Sequence, residues 1–185
     1  EWIQSQSVQP EARRLRLEAA MWTSAACQLE AYYFDGNMKP LCVADLIQNT
    51  QLLQNVQTFR GVGEAWESYG LPSRFGFHSK PFTKVLMELA LNADQSISIL
   101  LGADAFQVGG NFTKGGVVGV EEALCIQSTL QMSLRRAATL AERQGISDTS
   151  DSYIPEGGVI LSPKVQFFRA GPEEGFRFLE EPFDV

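Results

Sequence analysis

Residues 96–122 read SISILLGADAFQVGGNFTKGGVVGVEE, and the order of features within them decides the fold class. Residues 96–101 alternate and then become continuously apolar, as a strand buried on both faces does. Gly109, Gly110, Gly115, Gly116 and Gly119 follow within eleven positions. A helix is then expected from about residue 120 to 144, with Leu124, Ile126, Leu130, Leu134, Ala138 and Ala141 at helical spacing and Gly145 as its cap. A strand, a glycine loop and a helix in that order predict an α/β layered domain with the 96–101 strand central in its sheet.

Outward from this block, residues 9–33 carry a helical apolar period that stops at Asp35-Gly36-Asn37. Further helices are expected over about 44–56 and 83–92, with an irregular glycine- and aromatic-rich segment at 60–80. Short apolar runs at 159–161, 165–168 and 176–179 predict strands. There is no internal repeat and no long linker. The reading is one domain, 1–185, with a helical part over about 1–92 and a loop-and-helix core over about 93–185.

The 185 residues are 44% apolar and 20% charged, enough to build a core and too apolar for a disordered chain. No run approaches the ~18 apolar residues of a membrane span. Fifteen basic against twenty-two acidic residues give a net charge of −7 and no basic face, which argues against direct nucleic-acid binding. Cys27, Cys42 and Cys125 are odd in number and set among apolar neighbours, as buried reduced thiols of an intracellular, cytoplasmic protein are. The sole histidine, His78, lies in no triad or zinc motif, so neither metal nor cofactor is expected.

The loop from Gly109 to Gly119 has the makings of an anion cradle. Glycines allow close backbone approach and positive φ, and the helix start adds its dipole. It is not a Walker loop, because Gly115 follows Lys114. A connection with no ligand is the plainer alternative. Glu121-Glu122 at the helix start has a plain explanation too, since acidic residues suit a first turn. Yet a phosphate cradle does not want two carboxylates at its mouth unless the ligand also carries hydroxyls or a bond needing acid catalysis. Gly110→Val is expected to block ligand approach and leave the fold intact. Arg169 is expected to pair with Glu173 or Glu174. Tyr153 and Phe106 are read as core aromatics, with base stacking as the alternative.

Gly109-Gly110-Asn111, eight residues, then Val120-Glu121-Glu122 resembles the signature of the poly(ADP-ribose) glycohydrolases, which are macrodomain-type proteins. Ala123-Leu124-Cys125 and Ser128-Thr129-Leu130 resemble its bacterial-type branch, as do residues 159–169, VILSPKVQFFR. The resemblance implies a three-layer α/β/α macrodomain-like fold with a mixed central sheet. It implies that Glu122 is the catalytic acid and Glu121 its ribose-orienting neighbour. Gly109 and Gly110 would lie beside a diphosphate and ribose, with Gly115 and Gly116 in the same loop. Asn111 stands where a third glycine belongs, and Val120 where a glutamine belongs. Asp104 would lie near the adenosine end, although loop capping is the plainer reading.

The resemblance further implies an ADP-ribose-processing hydrolase acting at the ribose anomeric carbon of ADP-ribose polymers or ADP-ribosylated proteins. A non-catalytic ADP-ribose-binding module, or a structural segment of a larger protein, are the alternatives. No second glycine-rich loop follows Arg169, so the fold is expected to be incomplete at its C-terminus, with a further polypeptide segment completing the sheet.

Overall fold

The computed structural model describes residues 10–54, 76–91, 97–115, 119–146 and 152–185. Helix α1 is Pro10–Leu29. Pro10 opens it, where a missing N–H costs nothing. It ends four residues before the apolar period does, because Glu30 takes a left-handed φ of 52°. Tyr32 therefore lies in a strand and not in the helix. Strands β1, Ala31–Phe34, and β2, Asn37–Pro40, pair antiparallel around Asp35-Gly36, both at positive φ, the two-residue hairpin turn that suits strand twist.

Helix α2 is Val43–Asn49, shorter than the expected 44–56. Thr50 turns extended (ψ 131°) and the chain enters β3, Gln51–Leu53. Helix α3, Phe82–Ala90, lies where its periodicity places it. The 60–75 part of the irregular segment falls outside the described residues.

The long helix expected after the glycine loop is two helices, α4, Val120–Gln127, and α5, Leu130–Arg143. At the break, Ser128 is extended and bridges Phe167, and the Thr129 amide donates to Gln166 O (3.0 Å). The Gln166 amide donates in return to Thr129 Oγ1 (3.0 Å). Strand contacts thus outbid helix continuity at two hydroxyl residues that compete readily with helical hydrogen bonding. Gly145, at φ 67°, ends α5 as expected.

Three two-stranded antiparallel sheets account for the described strands: β1–β2, β3 with β4 (Val159–Leu161), and β5 (Gln166–Arg169) with β6 (Phe178–Asp184). The expected mixed central sheet of a three-layer domain is not formed among the described residues. Nor are residues 97–101 a central strand. Ile97, Ile99 and Leu101 pack against the core, while Leu100 is fully exposed. The segment keeps a strand's alternation without a strand partner among the described residues.

Strand β5 is the centre of the packing. All four of its residues are buried. Phe167 joins Leu124, Ile126, Leu130 and Leu134 in one cluster and stacks on Phe183 (5.4 Å between centroids). Phe168 faces the other way, into Cys27, Tyr32, Leu41 and Val43, and stacks on Tyr32 (5.5 Å). Alternation along one strand therefore ties the α4–α5 unit to the α1–hairpin unit. Buried Arg169 does not pair with Glu173 or Glu174. Its Nη1 donates to Phe176 O (2.6 Å) and its guanidinium lies 3.8 Å from the Phe178 ring centre. Glu174 pairs instead with Lys84 and Arg177. Of the three cysteines, Cys27 and Cys125 are buried, but Cys42 is exposed ahead of α2. Among the described residues no helix is long and apolar enough to cross a membrane.

Candidate active site

Gly119 caps the N-terminus of α4 in an extended conformation, and its carbonyl accepts the first helical bond from Ala123 (3.1 Å). Glu121 and Glu122 follow in the first turn, and both are buried. Successive helical residues point about 100° apart, and the two carboxylates reach different parts of the preceding loop. Glu121 Oε2 accepts from the Asp104 amide (2.6 Å) and Oε1 from the Gly109 amide (3.1 Å). Glu122 Oε1 accepts from the Asn111 amide (3.3 Å). The pair therefore holds the loop 104–111 at three backbone points.

Gly109 and Gly110 are both left-handed, at φ 70° and 56°. A side chain on Gly109 would press on the Phe112 ring and Cys125 Sγ, 3.0 and 3.3 Å away. A side chain on Gly110 or on Gly119 would run into the Glu122 carboxylate. Two glycines from opposite directions thus make the slot that Glu122 fills. A valine at Gly110 would therefore also displace the Glu122 carboxylate, besides any effect it has on ligand approach. Asn111 has φ −103°. The third position of the triplet needs no left-handed backbone, so a side chain is sterically admitted there.

The other expected residues are dispersed. Gly115 is left-handed and lies against α1, where an added side chain would meet Leu17 Cγ at 2.6 Å. Its carbonyl accepts from Arg16 Nε and Nη2 (3.2 and 3.1 Å). Gly116 falls outside the described residues. Val120 and Lys114 are exposed. Asp104 is exposed and caps its own loop, accepting from the amides of Phe106 (2.8 Å) and Gln107 (3.0 Å). Tyr153 is core and Phe106 is exposed beside Asp104. His78 is exposed on a separate segment.

Sequence reasoning missed the groups that hold the loop from behind. Ala105 O accepts from the Tyr153 amide (2.9 Å) and from Ser152 Oγ (3.2 Å). Nothing in the residue types around position 105 signals the contacts that Ser152 and Tyr153 make with its carbonyl. Cys125, one helical turn beyond Glu121, carried a signal as an apolar neighbour of the motif and packs directly under Gly109.

Burial raises the Glu121 carboxyl above its ordinary value of 4.5, and Glu122 and Asp104 add to the rise; the two backbone amides oppose it. Burial and both glutamates push the Cys125 thiol well up. Among the described residues neither glutamate makes an ion pair with a basic side chain. No group of three His, Cys, Asp or Glu side chains among them is placed to hold a metal.

Residues 23–170 match the family profile of the microbial-type PARG catalytic domain. The chain belongs to this family. It is similar to the crystal structure of poly(ADP-ribose) glycohydrolase from Thermomonospora curvata bound to the inhibitor ADP-HPD, at 26% identity and a TM-score of 0.68. That likeness covers 92% of this chain and 60% of the other. A second structure of the Thermomonospora curvata enzyme, at 24% identity and a TM-score of 0.67, matches in fold over 92% of this chain and 61% of that one. The chain thus spans about three fifths of the solved PARG chains it matches. No curated protein sequence matches it. The fold is PARG-like, with mixed helices and strands and small sheets.

Proposed function

We propose that this PARG-family chain forms the acid-bearing part of a glycohydrolase that releases ADP-ribose from poly(ADP-ribose) or from ADP-ribosylated proteins. The observation that carries the reading is the buried pair Glu121 and Glu122, held by backbone amides of a glycine loop. A buried carboxylate without a cation is costly. A helix cap needs one exposed acidic residue at most, and this arrangement keeps two out of water.

In the proposed reaction Glu122 gives its proton to the oxygen that leaves the ribose anomeric carbon. The C–O bond breaks with oxocarbenium character at that carbon. A water attacks it, and the water's proton returns to Glu122, so acid and water are the only reagents. Paired carboxylates of ordinary glycosidases stand ~5–10 Å apart on opposite sides of the bond. Glu121 and Glu122 are adjacent on one helix, so Glu121 is assigned to orienting the ribose. Gly109 and Gly110, with Asn111, are assigned to the diphosphate side of the ligand. Left-handed glycines there let backbone approach phosphate closely. Gly115, whose carbonyl and Cα are occupied by α1, is assigned to anchoring the loop. The exposed Val120 and Asp104 are placed at the outer rim.

The test is turnover of poly(ADP-ribose) by the full-length protein that carries this chain, wild type and Glu122→Gln, with binding of ADP-ribose measured in parallel. The amide is nearly isosteric and cannot donate the proton. The expected result is a loss of at least about 100-fold in turnover with little change in affinity. Turnover within a few-fold of wild type removes Glu122 as the acid.

A further inference from the structure

We propose that the outer face of α1, centred on Trp22, pairs antiparallel with the same face of a second copy of this chain. The proposal is independent of the reading of Glu121 and Glu122. The inner face of α1 is taken: Arg16, Ala19, Ala20, Thr23, Ala26 and Cys27 are buried. Leu15, Met21, Trp22 and Leu29 are exposed, Trp22 at 65% and Leu29 at 76%. Leu15, Trp22 and Leu29 stand seven residues apart. That spacing drifts only about 20° per repeat, so the three form one stripe. Single apolar residues on a surface need no explanation, but a stripe running from Leu15 to the last residue of the helix does.

The stripe alone would suit several occupants, and its order and charges narrow the choice. Trp22 is its midpoint, with a leucine seven residues to either side. A stripe of this kind reads the same in both directions. Laid antiparallel on a second copy about a two-fold axis at Trp22, it sets Trp22 against Trp22 and each copy's Leu15 against the other's Leu29. That is the self-matching contact a two-fold dimer requires. Trp, Met and Arg, all present on this face, are also residue types enriched at interfaces.

The charges along α1 favour the same direction. A helix is stabilised by acidic residues at its start and basic ones at its end. α1 has Glu11 in its first turn but no basic residue in its last. Its exposed arginines, Arg13 and Arg14, lie near the start instead, and exposed Glu30 follows the end. Antiparallel pairing brings the arginines of each copy to the other's helix C-terminus, with Arg14 opposite Glu30 when Trp22 faces Trp22. Glu18, near the middle of the stripe, pairs with Arg14 of its own chain (3.7 Å), and a guanidinium has donors enough for both carboxylates. A membrane surface is the poorer match. Helices that lie in a membrane interface carry an excess of basic residues on their polar face, whereas Glu11, Glu18 and Glu30 offset Arg13 and Arg14 here. Area sets the strength. Four exposed apolar side chains of on the order of 100 Å² each, with the polar groups beside them, bury about 1,000 Å² in the pair, the low end for a specific and reversible contact.

The experiment is sedimentation equilibrium of the full-length protein that carries this chain, from about 1 to 200 µM, wild type and variants. Wild type is expected to pass from monomer to dimer within that range. Trp22→Ser is expected to weaken association at least about tenfold while leaving the urea midpoint unchanged. Arg14→Glu and Glu30→Arg are each expected to weaken it about threefold, and the double variant to return to within about twofold of wild type. Monomer throughout the range overturns the proposal. A dimer that Trp22→Ser leaves intact overturns it too, because the copies would then meet elsewhere. So does a double variant no stronger than its weaker parent, since that removes the antiparallel register. A monomer that binds vesicles of phosphatidylcholine and phosphatidylserine, and loses them in Trp22→Ser, would assign the stripe to a membrane surface and overturn the proposal as well.

Discussion

The Glu122 carboxylate occupies the volume into which any side chain on Gly110 would project. Gly119 makes the matching allowance from the other side. The glycines of the motif thus do two jobs that residue types alone do not separate. Gly109 and Gly110 permit the left-handed turn, and Gly110 with Gly119 leaves the slot for the Glu122 side chain.

Gly110→Ala is therefore expected to act as a lesion of Glu122. The left-handed backbone costs alanine about 1–2 kcal/mol, and the carboxylate must move. Turnover of poly(ADP-ribose) should fall by at least about 100-fold, as in Glu122→Gln. The decisive measurement is the double variant. Two lesions of one group are strongly non-additive, so Gly110→Ala with Glu122→Gln should be little slower than either alone. Multiplying losses would mean that Gly110 serves the ligand separately.

Gly115→Ala should behave differently, although both glycines sit in one motif. Its backbone is left-handed and an added methyl would meet Leu17 and the Arg13 carbonyl of α1. Strain and overpacking together should cost about 2–4 kcal/mol of stability. Urea unfolding measures this. A loss under about 1 kcal/mol would show that α1 gives way easily and that the Arg16–Gly115 contact does not fix the loop.

These two glycines show what was legible in the sequence. Helical and strand periods located α1, α3, β4 and β5, because an apolar face records burial wherever a core is made. The Gly109-to-Glu122 motif picked out residues that the structure brings together for the same reason: backbone freedom and paired carboxylates are properties of residue type. What failed depended on partners. The 96–101 run has the composition of a central strand, but a strand needs neighbours, and its burial alternates instead. The helix expected to cross Ser128-Thr129 breaks there because β5 offers hydrogen bonds from 37 residues away. Arg169 looked like a strand-end residue seeking a glutamate, and it lies instead under Phe178.

Arg169 yields a stability prediction. Burial lowers its guanidinium to about 10. Among the described residues only Nη1 finds an acceptor; Nε and Nη2 are buried without partners there. A buried charge of this kind is a poor source of stability, and an apolar replacement of similar volume is often neutral or better. Arg169→Met is expected to unfold within about 1 kcal/mol of wild type, or later. A loss above about 3 kcal/mol in urea unfolding would show that the Phe176 bond and the Phe178 contact outweigh the desolvation.

Glu121 allows a test by pH, in which two opposed causes compete. Burial raises its carboxyl, and the amides of Asp104 and Gly109 lower it; burial wins. A carboxyl raised on folding binds its proton more tightly in the native state. Its contribution to stability is then fully present below the unfolded value, near 4.5, and is lost as pH rises through the higher folded value. Glu121→Gln removes that titration. The amide has one acceptor for two backbone donors, and its NH2 must face one of them, which should cost about 1–3 kcal/mol. The difference in stability between wild type and Glu121→Gln is therefore expected to be largest near pH 4 and to shrink through the window above 4.5. Urea unfolding of both proteins across that window reads the sign directly. If the wild-type advantage grows with pH instead, the two loop amides outweigh burial, Glu121 is held as a carboxylate by design of the loop, and its proton has no part in raising the acidity of the site.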